Sequence, residues 1–373
     1  MIIQNKLNES RSAWYKINLK IGLGGSTEIP ETCKQVAVTN WDDIFDLNFE
    51  KHHQFSSEFQ HIFFLKSELH SFALRDLYLD GTFHLVKNCG EYKQIYIISV
   101  LYQENNATFS YPILFSLMKN RYTVNYVEIF EVLNHFYFEQ FNEKLSPRVF
   151  RLDCESAVIR AIKEVYGPTS KIRLCCVHVC RNWRKHFIEA VGKVQFLSAL
   201  FQEVWTILRG CLFLPFGALD TVINYLKEVI LPKIPTGSKS KFRKFLDKYL
   251  IKYYFSPTAT FPHINWSYYH DINDFGKFNM STNSAEVINR DLKRLAGNGK
   301  IYFPTACRKL KEFKENYLRE FFYKVNGDNL NRRRTKVIRR EENLITLVRQ
   351  FSDSNWFDTN NIITRVNEAR TGF

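Results

Sequence analysis

The sequence predicts an α/β fold: a mixed sheet with flanking helices, interrupted by an all-helical insertion. Three observations predict it. Short runs rich in Ile, Val, Phe and Tyr follow one another from Leu74 to Met118, separated by turn residues. After Tyr122 the apolar spacing changes to that of a helix, and helical spacing then persists through most of Trp183 to Phe255.

The first of these regions reads as an antiparallel meander, with strands expected at Asp76–Leu79, Thr82–Val86, Gln94–Tyr102 and Tyr111–Met118. Asp80-Gly81, Asn88 to Gly90 and Asn105-Asn106 supply the punctuation. Val127, Phe130, Leu133, Phe136, Tyr137 and Phe141 then fall at helical intervals, which predicts a helix over Tyr122 to Phe141. Beyond the break at Pro147, Val149–Leu152 reads as a further strand, and Glu155–Val165 is amphipathic through Ala157, Ile159, Ile162 and Val165. Lys171–His178 returns to strand character, with a helix expected from Val179. This meander followed by helix, strand, helix, strand, helix is the ribonuclease H-like order, in which carboxylates at strand ends can converge on a divalent metal.

Trp205, Ile207, Leu208 and Leu212 form one candidate helical face in the insertion, and Val222, Ile223 and Leu226 another, with Pro215, Pro232 and Pro235 as breaks. A polar aromatic stretch, Phe261 to Phe278, leads to a helix beginning near Ser284. The expected organisation is an extension over 1–66 with no single periodicity, a first part of the core over 67–182 and the insertion over 183–278. A core helix over 279–299 and a basic helical region over 300–373 complete it.

Composition narrows the function classes. The chain has 373 residues, of which 45% are hydrophobic and 24% charged, so it can bury a large core without disulfides. Its 52 Lys and Arg against 38 Asp and Glu give a net charge of +14, which favours phosphate-bearing partners, nucleic acid first. No apolar run reaches the ~18 residues of a spanning helix, and Met1 to Ser10 lacks the apolar core of a signal peptide, so an intracellular location is expected. The eight cysteines are diluted over the chain without a framework spacing and read as reduced, mostly buried thiols. Aromatic residues make up 16% of the chain, enough for a Phe-rich core and for surfaces on which bases stack.

Three acids carry the chemistry. Asp80 lies in Leu79-Asp80-Gly81-Thr82-Phe83, between two expected strands, where Asp-Gly is also a hairpin-turn signal. Asp153 follows the run Val149–Leu152 and precedes a helix, so it suits either an N-cap or a strand-end metal ligand. Glu286 falls three residues after Asn283, the spacing of a capping box. Ile288, Leu292 and Leu295 form that helix's apolar stripe, and Glu286, Asn289, Arg290 and Lys293 share the other face.

Leu79-Asp80-Gly81-Thr82-Phe83, Asp153-Cys154-Glu155-Ser156-Ala157, Cys175-Cys176-Val177-His178 and Thr282-Asn283-Ser284-Ala285-Glu286 occur in this order, and together they resemble the transposase domain of Mutator-like elements. The resemblance covers roughly Leu65 to Leu295. It implies a DNA transposase in which Asp80, Asp153 and Glu286 are the DDE triad, binding Mg²⁺ or Mn²⁺, with Cys175 and His178 as a CxxH element beside the site. Three carboxylates can hold two divalent ions roughly 3.5–4 Å apart, one at the attacking and one at the leaving oxygen of an in-line displacement. Water then nicks the element end and a freed 3′-hydroxyl joins it to target DNA. The alternative is a catalytically silent, transposase-derived protein that binds DNA or regulates transcription.

Partners follow from the same reading: double-stranded DNA at element ends and target, a homo-oligomer during end synapsis, no membrane, and a nuclear location. Arg290, Lys293 and Arg294 are candidate phosphate contacts. So are Arg332, Arg333, Arg334, Lys336, Arg339 and Arg340, which also fit an import signal or a solvated helix face. From Arg290 to Arg340 there are 16 Lys or Arg against 5 acids. Cys176, Cys180 and His186 beside the CxxH element make structural zinc conceivable, but no second pair with zinc-finger spacing accompanies them.

Overall fold

The computed structural model describes residues 52–56, 60–65, 74–83, 92–104, 107–275, 283–296, parts of 309–323, and 335–350. The chain divides into two units. The first is Met1–Lys171 with Thr282–Arg332, and the second is Ile172–Ser281 with Arg333–Phe373.

The first unit is built on β1 (His52–Ser56), β2 (Gln60–Leu65), β3 (Asp76–Thr82), β4 (Gln94–Glu104), β5 (Ala107–Met118) and β6 (Val149–Leu152). They lie in the order β1-β2-β5-β4-β3-β6. β3, β4 and β5 are antiparallel, and β6 joins parallel to β3. β4 and β5 form the longest ladder. It is irregular at Ile98/Ser99, where Ser99 comes opposite Pro112, a residue with no N–H to give. β1 and β2 lie in the segment where no single periodicity predicts an element.

The expected break at Asp80-Gly81 is not there. β3 runs through it as one strand, with Asp80 opposite Ile97 and Gly81 opposite Tyr96. Asp-Gly favours a turn only when local geometry decides, and here the ladder to β4 decides. Of the expected Thr82–Val86 strand, Thr82 ends β3, Phe83 follows outside any strand, and residues 84–86 lie outside the described residues.

Between β5 and β6 runs α1 (Thr123–Phe141), and after β6 comes α2 (Ser156–Tyr166). α1 buries Tyr126, Ile129, Phe130 and Leu133, and Phe130 meets Phe150 of β6 edge-on at 6.1 Å. It ends at Asn142, which adopts the left-handed conformation at φ 54°. α2 buries Ala157, Val158, Ile159, Ala161 and Ile162 and stops at Gly167, φ 97°, just before Pro168.

The second unit opens with β7 (Ile172–Leu174) and α3 (Cys176–Val191). The strand is shorter than the expected Lys171–His178, and the helix starts at Cys176 instead of Val179. The helical period explains this: Cys176, Val179, Trp183, Phe187 and Val191 are all buried on one side of α3 while Val177 is exposed. α4 (Ala199–Gly210), α5 (Ala218–Tyr225), α6 (Thr236–Lys244) and α7 (Tyr268–Phe275) follow, with π-helical turns at Leu226–Ile230 and Phe245–Phe255. The core is aromatic, as the Phe count suggests. Trp183 meets Tyr254, Phe255 and Trp266 edge-on at 5.5, 5.7 and 5.2 Å, and Phe187 stacks on Phe245 at 5.2 Å. In the same unit Arg173 is buried with Asp271 at 3.3 Å and Asp274 at 2.6 Å, and it donates to the Ile264 carbonyl.

The chain returns to the first unit at Thr282. There α8 (Asn283–Ala296) packs on β3, β4 and β5. Ile288 and Leu292 are its buried apolar residues, each contributing about 1.5–3 kcal/mol through burial. Phe313 continues this layer against Phe115 of β5, at 6.1 Å. Register puts Phe115 opposite Ile97 and Ile97 opposite Asp80, so α8 and Phe313 cover the face of the sheet that bears Asp80. α9 (Thr335–Gln350) belongs to the second unit.

Candidate active site

Asp80 is the fifth residue of β3 and only 7% exposed. Its Oδ1 accepts the Gly81 amide at 2.9 Å, and its Oδ2 accepts the Asn289 side-chain amide at 2.5 Å. β3 and β6 pair with Asp76 beside Val149, Leu77 beside Phe150 and Tyr78 beside Arg151. Continued by two residues, this register brings Asp80 level with Asp153, and neighbouring strands are only about 4.8 Å apart. Asp153 follows the last residue of β6 and is half-buried. The N-cap position of α2 belongs to Glu155 and not to Asp153.

Glu155 is the residue that sequence reasoning missed as a member of this acidic region. Its Oε1 accepts the Tyr126 hydroxyl at 2.7 Å, and that hydroxyl accepts Nε2 of Gln94 at 2.9 Å. Burial pushes the Glu155 carboxyl up; the Tyr126 hydrogen bond and the Arg121 charge pull it down, and the Asp80 charge raises it again. Tyr96 and Tyr126 are both raised, chiefly by burial and then by the charges around them, Glu155 and Asp153 included. The only signal for Glu155 in the sequence is its spacing of two from Asp153.

Glu286 is half-buried in the first turn of α8. Asn289 stands three residues later, on the same side of the helix, and holds Asp80. This corrects the expected face. Asn289 is buried at 7% exposure against the sheet, while Arg290, Lys293 and Arg294 are exposed. The side chains of Asn283 and Leu295, needed for the capping box and for the end of the apolar stripe, lie outside the described residues. Arg290 and Arg294 both approach Asp291, at 3.6 and 3.5 Å. Of the more C-terminal cations, Arg339 is exposed on α9; Arg332, Arg333 and Arg334, and the side chains of Lys336 and Arg340, lie outside the described residues.

In the second unit, Cys175 is the buried N-cap residue of α3 and His178 is half-buried in its first turn. Cys154, Cys175, Cys176, Cys180 and Cys211 are all reduced. Burial pushes Cys180 up to about 12, which keeps it protonated and a poor ligand as it stands. His186 faces Glu189 at 3.0 Å and lies on the Tyr249 ring, so it is engaged away from Cys176 and Cys180.

No curated protein matches the chain. Among protein families, the MULE transposase domain matches residues 77–182, a span that includes Asp80, Asp153, Cys175 and His178 and ends before Glu286. Over that span the chain is similar to the MULE transposase domain.

Proposed function

We propose that the chain is a DNA transposase of the Mutator-like type, with Asp80, Asp153 and Glu286 as its DDE triad. The observation that carries this reading is the register that brings Asp80 level with Asp153 on adjacent parallel strands, next to a helix bearing Glu286 and tied to Asp80 through Asn289. The order β5-β4-β3-β6, three antiparallel strands and a fourth parallel to β3, supports a ribonuclease H-like sheet. Departure of the chain at Lys171 and its return at Thr282 support an inserted helical unit.

The donor set fits a hard divalent cation, since carboxylate oxygens suit Mg²⁺ and Mn²⁺. Asp80, Asp153 and Glu286 would hold it, and it supplies Lewis-acid stabilisation of the phosphoryl oxygens and a more acidic water. The chain's own groups do the rest. Asn289 fixes the Asp80 carboxylate on one oxygen, Tyr126 fixes Glu155, and Arg290, Lys293 and Arg294 offer an exposed cationic strip to the DNA backbone. Water attacks the phosphorus of the element end and the 3′-oxygen leaves. That 3′-hydroxyl in turn attacks a target phosphorus and displaces the 3′-oxygen of the target strand, so one site serves both displacements.

One observation favours a second reading, a DNA-binding derivative without catalysis. Both Asp80 oxygens already accept hydrogen bonds, which compete with a cation for their lone pairs. The test is incubation of the purified chain with labelled DNA carrying its flanking element ends, with Mg²⁺ or Mn²⁺, beside Asp80→Asn and Glu286→Gln. Nicked and joined products that vanish in both variants are expected. Binding with neither product moves the conclusion to the silent derivative, and full activity in either variant removes that residue from the triad.

A further inference from the structure

Aromatic rings alternate with cations at the end of the sheet just beyond Asp80, and neither displacement uses them. Phe83, immediately after β3, is 45% exposed. The Arg121 guanidinium lies 5.1 Å from the centre of its ring. Tyr122, at the start of α1, is 66% exposed. Register sets Thr82 beside Ile95 and Gln94 beside Met118, so Phe83, Lys93 and Lys119 share this edge, where the Lys119 ammonium stands 6.0 Å from the Tyr92 ring.

Phe83 is three residues from Asp80, about 10 Å along an extended strand. Side chains three apart on a strand point to opposite faces, so a strand of DNA seated at Asp80 reaches the ring where it crosses this end of the sheet. Exposed aromatic faces with cations between them are the chemistry of base stacking combined with phosphate contact. Inside an intact duplex the base faces are already stacked on one another, so away from a duplex end an exposed ring takes a base that has left its pair. The acids within the sheet end repel phosphate in the absence of cation, and Lys93, Lys119 and Arg121 supply the opposite sign at its rim.

We infer that Phe83, Arg121 and Tyr122 form a stacking platform for an unpaired nucleotide of the DNA strand cut at Asp80 and Asp153. This rests on the transposase reading and adds to it a subsite for single-stranded DNA next to the scissile phosphate.

The test uses the full chain with two DNAs, a blunt duplex and the same duplex carrying a short unpaired overhang with 2-aminopurine. The platform predicts quenching of 2-aminopurine on binding and tighter binding of the overhang DNA. Phe83→Ala and Tyr122→Ala each weaken overhang binding about tenfold, the loss of one stacked base, and leave blunt-duplex affinity within about twofold. Phe83→Trp, which keeps a stacking face, retains both quenching and affinity. Because these side chains are exposed, the alanine variants unfold at the wild-type temperature; should one unfold early, Phe83→Trp against Phe83→Leu gives the same comparison at similar bulk. Unchanged overhang binding in the variants overturns the platform while leaving the DNA reading in place. A chain that binds neither DNA overturns both.

Discussion

Asn289 donates its side-chain amide to the Asp80 carboxylate at 2.5 Å, from a position 209 residues further along the chain, and both residues are buried. A hydrogen bond to a buried charge is worth about 1.5–3 kcal/mol, so Asn289→Ala should lower stability by that amount in urea unfolding. Asn289→Asp should be worse, since a second carboxylate then faces the first. A loss below about 0.5 kcal/mol for the alanine variant would mean that water replaces the amide without cost.

The exposed strip on α8 gives a prediction in salt. Replacing Arg290, Lys293 and Arg294 together by Gln should reduce the slope of log K against log salt by about 0.9 for each phosphate that the strip neutralises. Titrations of duplex DNA at several salt concentrations measure it. An unchanged slope would leave these side chains as solvated partners of Asp291.

Arg173 is the ion-paired centre of the second unit's polar core. Arg173→Met leaves Asp271, 1% exposed, as a buried charge without its counter-ion, and should cost about 3–5 kcal/mol. Arg173→Lys should recover only part of this, because an ammonium cannot reach Asp271, Asp274 and the Ile264 carbonyl together. Urea midpoints decide it, and a lysine variant with the wild-type midpoint would refute the argument from the guanidinium fork.

His263 predicts an acid limb of stability. It is buried, its Nδ1 lies 3.2 Å from Nε2 of His270, and burial together with that neighbour holds it down at about 3. Between about 6.5 and that value the unfolded chain takes up a proton that the folded chain refuses, so stability falls as pH falls through this window. His263→Gln should flatten the dependence between pH 7 and pH 5, as read from urea midpoints. A variant with the wild-type slope would place the limb elsewhere, His270 being the first alternative.

Local pattern made much of the fold legible. β6 lies where Val149–Leu152 predicts it, and α1 begins one residue after the predicted Tyr122, because apolar periodicity is written within each segment. Asp80 and Asp153 are likewise legible as carboxylates beside short apolar runs. What the sequence conceals is settled by partners distant in the chain. Asp80-Gly81 carries turn chemistry that pairing with β4 overrides. Cys176 to His178 look extended until the buried period of α3 is known. Asn289 looks like one more polar residue on an outward face, and Gln94, Tyr126 and Glu155 are a chain of donors and acceptors drawn from three separate segments.

The split of the first unit has a temporal consequence. A ribosome working at about 5–20 residues per second takes roughly 10–40 s to travel from Asp80 to Asn289. Over the first 73 residues of that stretch Asp153 is still missing too, and until the end of the interval the nascent sheet lacks the helix that braces Asp80 and carries Glu286. A polypeptide released early therefore has the strands of the sheet while lacking the helix that braces Asp80. Discontinuity of the chain thus postpones the bracing of Asp80 until the whole second stretch of the chain up to α8 has been made.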